Sequence, residues 1–349
     1  DEEKMKEFLS RAQELCPVRV MDYNHSKRVF DNSIFYESFV TGLMHQIGLP
    51  AQAHDKLLVN SNLVMQILDE QGLSPFKTFE SISRFAELLS LSRGSDFSPR
   101  VTEYAITDNT KITTIEPPCG SSTMIIQSLG EVLFVDCGYA LYEKEMIKLF
   151  RSVLPDYDAM KKRIFVTHAD VDHSGLLHIF DEILASRKTA HCFELEARGE
   201  NGYREQNPLH KPYVNICKTL TFYKPPEPRK LSILGGTGDE QDSLLERIGS
   251  LKTGELDFEV YQGKGGHLPG ESVLIDREHK IAFTGDIYVN IPGMTREQAE
   301  YNRYAPVLMT SVDTDPALCT AERNYIMQDL EPGNWKIFGS HGAMKEYSK

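Results

Sequence analysis

The chain has 349 residues, a net charge of −13, and 40% hydrophobic and 26% charged residues. It is long enough for one large domain or two, ordinary in composition for a globular protein, and too acidic for a nucleic-acid backbone to be its default partner. The six cysteines (Cys16, Cys119, Cys137, Cys192, Cys217, Cys319) stand apart with no Cys-x-x-Cys pair, which fits reduced thiols better than a disulfide framework or a thiolate zinc site. No apolar run approaches membrane-spanning length and no signal-peptide pattern opens the chain, so a cytoplasmic protein with no membrane partner is expected.

Residues 1 to about 100 read as a helical accessory domain. Phe35, Phe39, Leu43 and Ile47 fall near helical spacing, as do Leu57, Leu58, Val64, Met65 and Leu68 after the Gly48-Leu49-Pro50 break. A further helix is predicted over Phe79–Leu91. His25, His45 and His54 lie here without carboxylates at ligand spacing, so surface or core roles are expected. From about Val101 the pattern becomes that of strands: Ile112–Ile115, Thr123–Ile126 and Val132–Val135, with Leu129-Gly130-Glu131 a hairpin turn between the last two. Asp136-Cys137-Gly138 closes the third strand, and a helix over Glu143–Leu154 follows.

Ile164–Val166 is a short buried-strand run, and His168, Asp170, Asp172 and His173 come directly after it. Ser174-Gly175 follows, then an apolar-periodic stretch from Leu176 to Leu184 that predicts a helix. A loop between strand and helix is where a rigid scaffold displays chemistry, and His-x-Asp-x-Asp-His can point ligands at two metals rather than one. Strands are next predicted at Thr189–Phe193, Thr219–Tyr223 and Phe258–Gln262. Pro208, Pro212, Pro225, Pro226 and Pro228 make residues 199–238 read as a long irregular insertion that covers something. Gly235-Gly236-Thr237-Gly238 reads as a loop, and His178, His191 and His210 are expected in ordinary structural roles.

A flexible turn, Gly263 to Gly270, carries His267 and leads into a strand at Ser272–Ile275. Another strand, Lys280–Thr284, ends in Gly285-Asp286. Helices around Thr295–Asn302 and Pro316–Leu330 precede a final short strand, Trp335–Phe338, which runs into Gly339-Ser340-His341-Gly342. Repeatedly a strand ends and a ligand-type residue sits in the loop after it.

Four features in this order resemble the metallo-β-lactamase-fold superfamily over roughly residues 100 to 349. They are the His168-x-Asp170-x-Asp172-His173 loop, His267 in Gly-His-x-Pro-Gly, Asp286 in Phe-Thr-Gly-Asp, and the closing His341. The resemblance implies an α/β fold, an αββα sandwich over residues 101–349 preceded by the helical domain, with the metal site at one edge. It assigns His168, Asp170 and His267 to a first metal and Asp172, His173 and His341 to a second. Asp286 would bridge ions about 3.5–4 Å apart, as in two-metal sites generally. Asp136 sits where the family often has a carboxylate that orients a ligand. Ser121, Ser122 and Thr123 occupy a comparable edge loop, where a plain strand start is equally expected.

Two departures bear on chemistry. Most family hydrolases have His where this chain has Asp170, and they commonly follow Asp-His with x-Gly-Gly, whereas Ser174-Gly175 is followed here by Leu176. Two divalent ions, three aspartates and a bridging hydroxide sum to zero, one charge less positive than the common version. An oxygen-rich set favours harder ions, so iron or manganese rank with zinc. The leading expectation is a dinuclear hydrolase of a small-molecule ester, thioester, lactone or phosphodiester. Its metals would lower the pKa of a bridging water, and Asp172 or Asp286 would manage the proton. An acidic residue at the second position also occurs in the competence-protein-like branch, and the Gly-His-x-Pro-Gly turn resembles glyoxalase-type hydrolases. The alternative is a di-iron reductase or sensor of oxygen or nitric oxide. Flavodiiron proteins share an acidic residue at that position, Glu rather than Asp, and Asp-His-Ser-Gly after it, though no flavin-binding domain is evident here. A scaffold that merely retains the metal site ranks last.

Overall fold

A computed structural model describes residues 2–15, 35, 37–73, 75–235, 242–304 and 312–349. Helices come first: α1 (Glu2–Leu15), α2 (residues 37–47), α3 (Ala53–Glu70) and α4 (Pro75–Leu91). Val40, Leu43 and Ile47 on α2, Leu57, Val64 and Leu68 on α3, and Ile82, Phe85 and Leu89 on α4 are all buried. Their spacing forms the apolar stripe by which a helix docks on a core.

Two sheets follow. The first contains β1 (Arg100–Ala105), β2 (Thr110–Glu116), β3 (Thr123–Ser128), β4 (Glu131–Val135), β5 (Arg163–Phe165), β6 (Glu182–Ser186) and β7 (Leu231–Leu234), neighbours in that order. Its first four strands pair antiparallel and its last four parallel. The parallel crossovers carry α5 (Glu143–Val153), α6 (Val171–Ser174), α7 (Arg187–Ala197) and α8 (Lys211–Leu220). The second sheet runs through β8 (Leu245–Thr253), β9 (Leu256–Gly263), β10 (Ser272–Asp276), β11 (Ile281–Gly285), β12 (Asn334–Gly339) and β13 (Lys345–Ser348). Only β11 and β12 pair parallel in it, and α9 (Arg296–Tyr304) and α10 (Pro316–Asp329) lie between them in sequence.

Strand alternation sorts the core into layers. On β3, Met124 and Ile126 face the second sheet, joining Leu133, Val135, Phe258, Leu274 and Phe283. Ile125 and Phe134 point the other way, into a cluster with the helices, which includes Phe150, Phe180, Phe85 and Leu57. On the far side Val273, Ile275 and Trp335 of the second sheet pack with Ile326 of α10. The result is helix, sheet, sheet, helix, with α2–α4 extending the first helical layer. α3 meets α8 through Asn60 and Asn215 (3.2 Å), and α4 meets α9 through the Arg84–Glu300 ion pair.

Several sequence expectations need correcting. Leu176 to Leu184 is not a helix: α6 stops at Ser174, a 3-10 turn covers Leu177–Ile179, and Ile183 and Leu184 belong to β6. The N–H groups of Asp181 and Glu182 both donate to Lys162 O (2.9 and 3.2 Å), which draws the chain into pairing beside β5. Thr189–Phe193 is helical within α7, capped by Ser186 Oγ accepting from Thr189 N (3.2 Å). Thr219–Tyr223 is the end of α8 and the turn after it, not a strand. The described part of residues 199–238 is less irregular than its prolines imply, because it contains α8 and β7, with Pro212 in the first turn of α8. β12 is followed by β13, and β1, β7 and β8 carry no strand assignment in the sequence reading. His25, Cys16 and Gly236-Thr237-Gly238 lie outside the described residues. The other five cysteines are free thiols, and no described helix is long and apolar enough to cross a membrane.

Candidate metal centre

Five connections converge at one edge of the sandwich, where β4, β5, β11 and β12 all end at their carboxyl termini and the turn before β10 returns. Asp136 follows β4, His168 to His173 follow β5, His267 precedes β10, Asp286 follows β11 and His341 follows β12. Register aligns these deliveries: Val135 pairs with Phe165 and Gly285 with Gly339. Gly175 is required for close packing, since a Cβ there would lie 2.4 Å from Ala140 N and 2.5 Å from Gly138 O. Gly285 adopts φ +55°, and a Cβ on it would sit 2.5 Å from Glu271 Oε1.

All seven residues singled out in the sequence meet here. The ligand atoms of His168, Asp170 and His267 lie within 4.8 Å of one another, as do those of Asp172, His173 and His341, and those of His168, His173 and Asp286. Asp286 Oδ2 stands between the first two groups, 3.5 Å from His173 Nε2, 3.7 Å from His267 Nε2 and 3.5 Å from His341 Nε2. Asp170 Oδ2 is 3.5 Å from His168 Nε2 and from His267 Nε2, and Asp172 Oδ2 is 3.4 Å from His341 Nε2.

Three imidazoles are anchored through Nδ1, which turns Nε2 inward. His173 Nδ1 donates to Asp136 Oδ2 (2.9 Å). His168 Nδ1 donates to Thr167 Oγ1 (3.0 Å), whose own hydroxyl donates to Asp136 Oδ2 (2.8 Å). His267 Nδ1 donates to Asp313 Oδ1 (2.8 Å). Asp136, at φ +53°, also accepts from Thr167 N (2.8 Å) and Ser340 Oγ (3.0 Å), so one buried carboxylate ties β5 and β12 together. Ser121 Oγ donates to Asp172 O (2.6 Å) and Ser122 N to Ser340 O (2.7 Å), which fixes two ligand loops. Ser122 Oγ and Thr123 Oγ1 have no partner among the described residues.

Electrostatics favour a cation here. Burial raises the Asp286 carboxyl, but His341 and His173 outweigh it and hold it well below the usual range. Burial lowers His341, yet Asp286 and Asp172 push it up to about 9. For His267, burial is outweighed by Glu271, Asp170 and Asp313, which push it up to about 10. An imidazolium there would meet the Arg204 guanidinium as a like charge at 3.1 Å. That contact is a donor approaching a lone pair, so we read the ring as neutral.

The residues present fit divalent metal. His168 Nε2, His173 Nε2 and Asp286 Oδ1 are buried with no hydrogen-bond partner among the described residues, a costly state that a bound ion relieves. Donor separations of 3.4 to 3.7 Å match the edge of a tetrahedron with ligand bonds of about 2.0–2.2 Å. Nδ1–H anchoring on carboxylate or hydroxyl is what metal-binding imidazoles use to fix their tautomer.

Three residues of the centre escape the sequence reading. Glu271, buried, accepts from Asp286 N (2.6 Å) and Ile287 N (3.1 Å) and lies 3.6 Å from His168 Nδ1. Asp313 anchors His267. Arg204, in a 3-10 turn after α7, forms an ion pair with Asp170. Of the other histidines, His45 is exposed, His54 bonds Glu37 (2.9 Å), His178 bonds Glu143 (3.0 Å), and His191 lies 3.8 Å from Glu194. None of these four, nor His210, belongs to the cluster.

The cluster forms one wall of a cavity of about 550 Å³, whose other walls include Phe85, Tyr139, Tyr213, Val214, Met294 and Tyr301. The helical layer thus reaches the cavity through Phe85 of α4.

The model of the Metallo-beta-lactamase superfamily matches residues 117–297. A metallo-beta-lactamase from Pontibacter korlensis is similar in structure at 14% identity and TM-score 0.41, covering 71% of this chain and 94% of its own. The dizinc quorum-quenching lactonase AidC gives 14%, 0.44, 72% and 98%. A flavo di-iron protein variant from Thermotoga maritima gives 15%, 0.44, 71% and 58%. At these scores the likenesses carry no argument about chemistry. No curated protein matches the sequence.

Proposed function

The chain belongs to the metallo-beta-lactamase superfamily, and from that premise we propose that it is a dinuclear metal-dependent hydrolase of a small-molecule ester, thioester, lactone or phosphodiester. The observation that carries this reading is the convergence of unpartnered His168 Nε2, His173 Nε2 and Asp286 Oδ1 directly beside Asp170, Asp172, His267 and His341, which with Asp286 line a cavity. His168, Asp170 and His267 would hold one divalent ion, Asp172, His173 and His341 another, and Asp286 would lie between them. Bound there, such ions acidify water and polarise the bond to be cut.

The protein's own groups supply the rest. Asp136, Thr167 and Asp313 hold three imidazoles with Nε2 towards the centre. Asp286 and Asp172, whose Oδ2 atoms lie 3.5 and 3.4 Å from His341 Nε2, are the carboxylates that would take a proton from the attacking water and return it to the leaving group, through whichever oxygen an ion leaves free. The cavity walls set Phe85, Tyr139, Tyr213, Val214 and Met294 beside charged Lys218, Arg303 and Arg323, and the apolar part suits an acyl group, which favours ester, thioester and lactone over a phosphodiester. Asp170 keeps the donor set oxygen-rich, so iron and manganese rank with zinc. A cytoplasmic protein acting on a small molecule, without nucleic acid or membrane as partner, completes the reading.

One observation favours a second reading, a di-iron reductase or sensor of oxygen or nitric oxide: a carboxylate at position 170, with Asp-His-Ser-Gly after it. Chelator treatment tests the first reading. Hydrolysis of esters, thioesters or lactones that is lost on metal removal and restored by zinc, manganese or iron supports it, and hydrolysis that survives full metal removal contradicts it.

A further inference from the structure

We infer that Arg204 holds the first metal position closed, so that its guanidinium and a metal ion compete for Asp170 and His267. The inference rests on the metal-site reading above and adds a residue that this reading leaves unassigned.

The two halves of the centre differ. At the half formed by Asp172, His173 and His341, no cationic side chain other than the imidazoles themselves enters among the described residues, and His173 Nε2 has no partner. At the other half Arg204 is already in place. Its Nε donates to Asp170 Oδ1 (2.8 Å) and Oδ2 (3.2 Å), and its Nη2 to Asp170 Oδ2 (2.5 Å). Nη2 also lies 3.1 Å from His267 Nε2, and Nη1 donates to Val312 O (2.5 Å). Of the three potential ligands there, only His168 Nε2 is left without a partner.

The imidazole makes the two states exclusive. A carboxylate oxygen has a second lone pair to offer a metal while it accepts from arginine. His267 has Nδ1 engaged by Asp313 (2.8 Å), so Nε2 is its one remaining ring position, and Arg204 Nη2 stands 3.1 Å from it. An ion at this position therefore requires Arg204 to leave. The guanidinium is planar and always charged, so it cannot make room by losing its proton.

The backbone that carries Arg204 is anchored, which confines the motion to its side chain. Lys218 lies between Glu196 (2.5 Å) and Glu205, the next residue after Arg204. Tyr203, the residue before it, donates its hydroxyl to Lys188 O (2.8 Å). The adjoining cavity of about 550 Å³ gives the displaced side chain somewhere to go. The centre then fills in order: one ion at Asp172, His173 and His341, and a second only after Arg204 swings out.

Zinc titration of metal-free protein against a chromophoric chelator tests this on wild type, Arg204→Met, which keeps bulk but loses the charge, and Arg204→Lys. Wild type is expected to bind one ion tightly and a second at least tenfold more weakly. Arg204→Met is expected to tighten the second tenfold or more and leave the first unchanged. Arg204→Lys should fall between, because an ammonium cannot make the forked contact with Asp170. The unchanged first affinity doubles as the check that the variants fold. Two tight ions in wild type, unaltered in the variants, would overturn the gate and leave the metal site standing. One ion in every protein would also overturn it, and no ion in any would overturn both.

Discussion

His173 Nδ1 and Asp136 Oδ2 lie 2.9 Å apart in the interior, and this contact ties the end of β4 to a ligand in the metal-facing loop after β5. The same carboxylate accepts from Thr167 and Ser340, so it sets two imidazoles and the approach of a third. Asp136→Asn keeps the shape and tolerates the left-handed backbone at φ +53°. It replaces one anionic acceptor oxygen by an amide that cannot accept. Affinity for the ion near His173 should fall about 10- to 100-fold, as read by chelator competition. An unchanged affinity would show that Asp136 serves stability alone.

Much of this centre was legible in the sequence, because each ligand follows or precedes a short apolar strand run and four histidines recur with three aspartates at those ends. The strands around Ile125, Phe134 and Leu274 were readable for the same reason: their alternation is visible without any tertiary information. Leu176 to Leu184 was not, because a short apolar run fits a helix, a 3-10 turn or a buried strand equally well. Thr189–Phe193 reads as a strand by composition, and only the Ser186 cap reveals the helix. Arg204 carries no spacing signal at all. It reaches Asp170 across 34 residues of sequence, through a turn whose position depends on packing.

Gly175→Ala would place a Cβ against the backbone of Gly138 and Ala140, which cannot rotate away. The loop that carries Asp172 and His173 must then shift. A loss of about 1–3 kcal/mol is expected, the usual scale for overpacking, measured by urea unfolding with an unchanged slope. A midpoint equal to that of wild type would show that the contact relaxes freely.

Lys218 is the cation between two nearly buried carboxylates, with Glu196 6% and Glu205 7% exposed. Lys218→Met leaves both without a counter-charge, and destabilisation of about 3–5 kcal/mol follows for a buried pair broken on one side. Converting Glu196 and Glu205 to Gln in the same chain should recover much of it. A single variant as stable as wild type would mean that water reaches the triad.

Asp170→His exchanges an oxygen donor for a softer nitrogen and removes the counter-ion of Arg204. Preference should move towards zinc over manganese, measured by competition between the two ions in folded protein. An unaltered ratio would show that position 170 does not set metal choice.

The most direct test of hydrolysis as the chemistry of this centre is one comparison on wild-type protein loaded in turn with zinc, manganese and iron. Each form is assayed against a panel of esters, thioesters, lactones and phosphodiesters, and in parallel for oxygen uptake under a reductant. Metal-dependent hydrolysis of at least one apolar acyl substrate, lost in Asp286→Asn, is the predicted result. Oxygen consumption by the iron form, with no hydrolysis by any form, would contradict it.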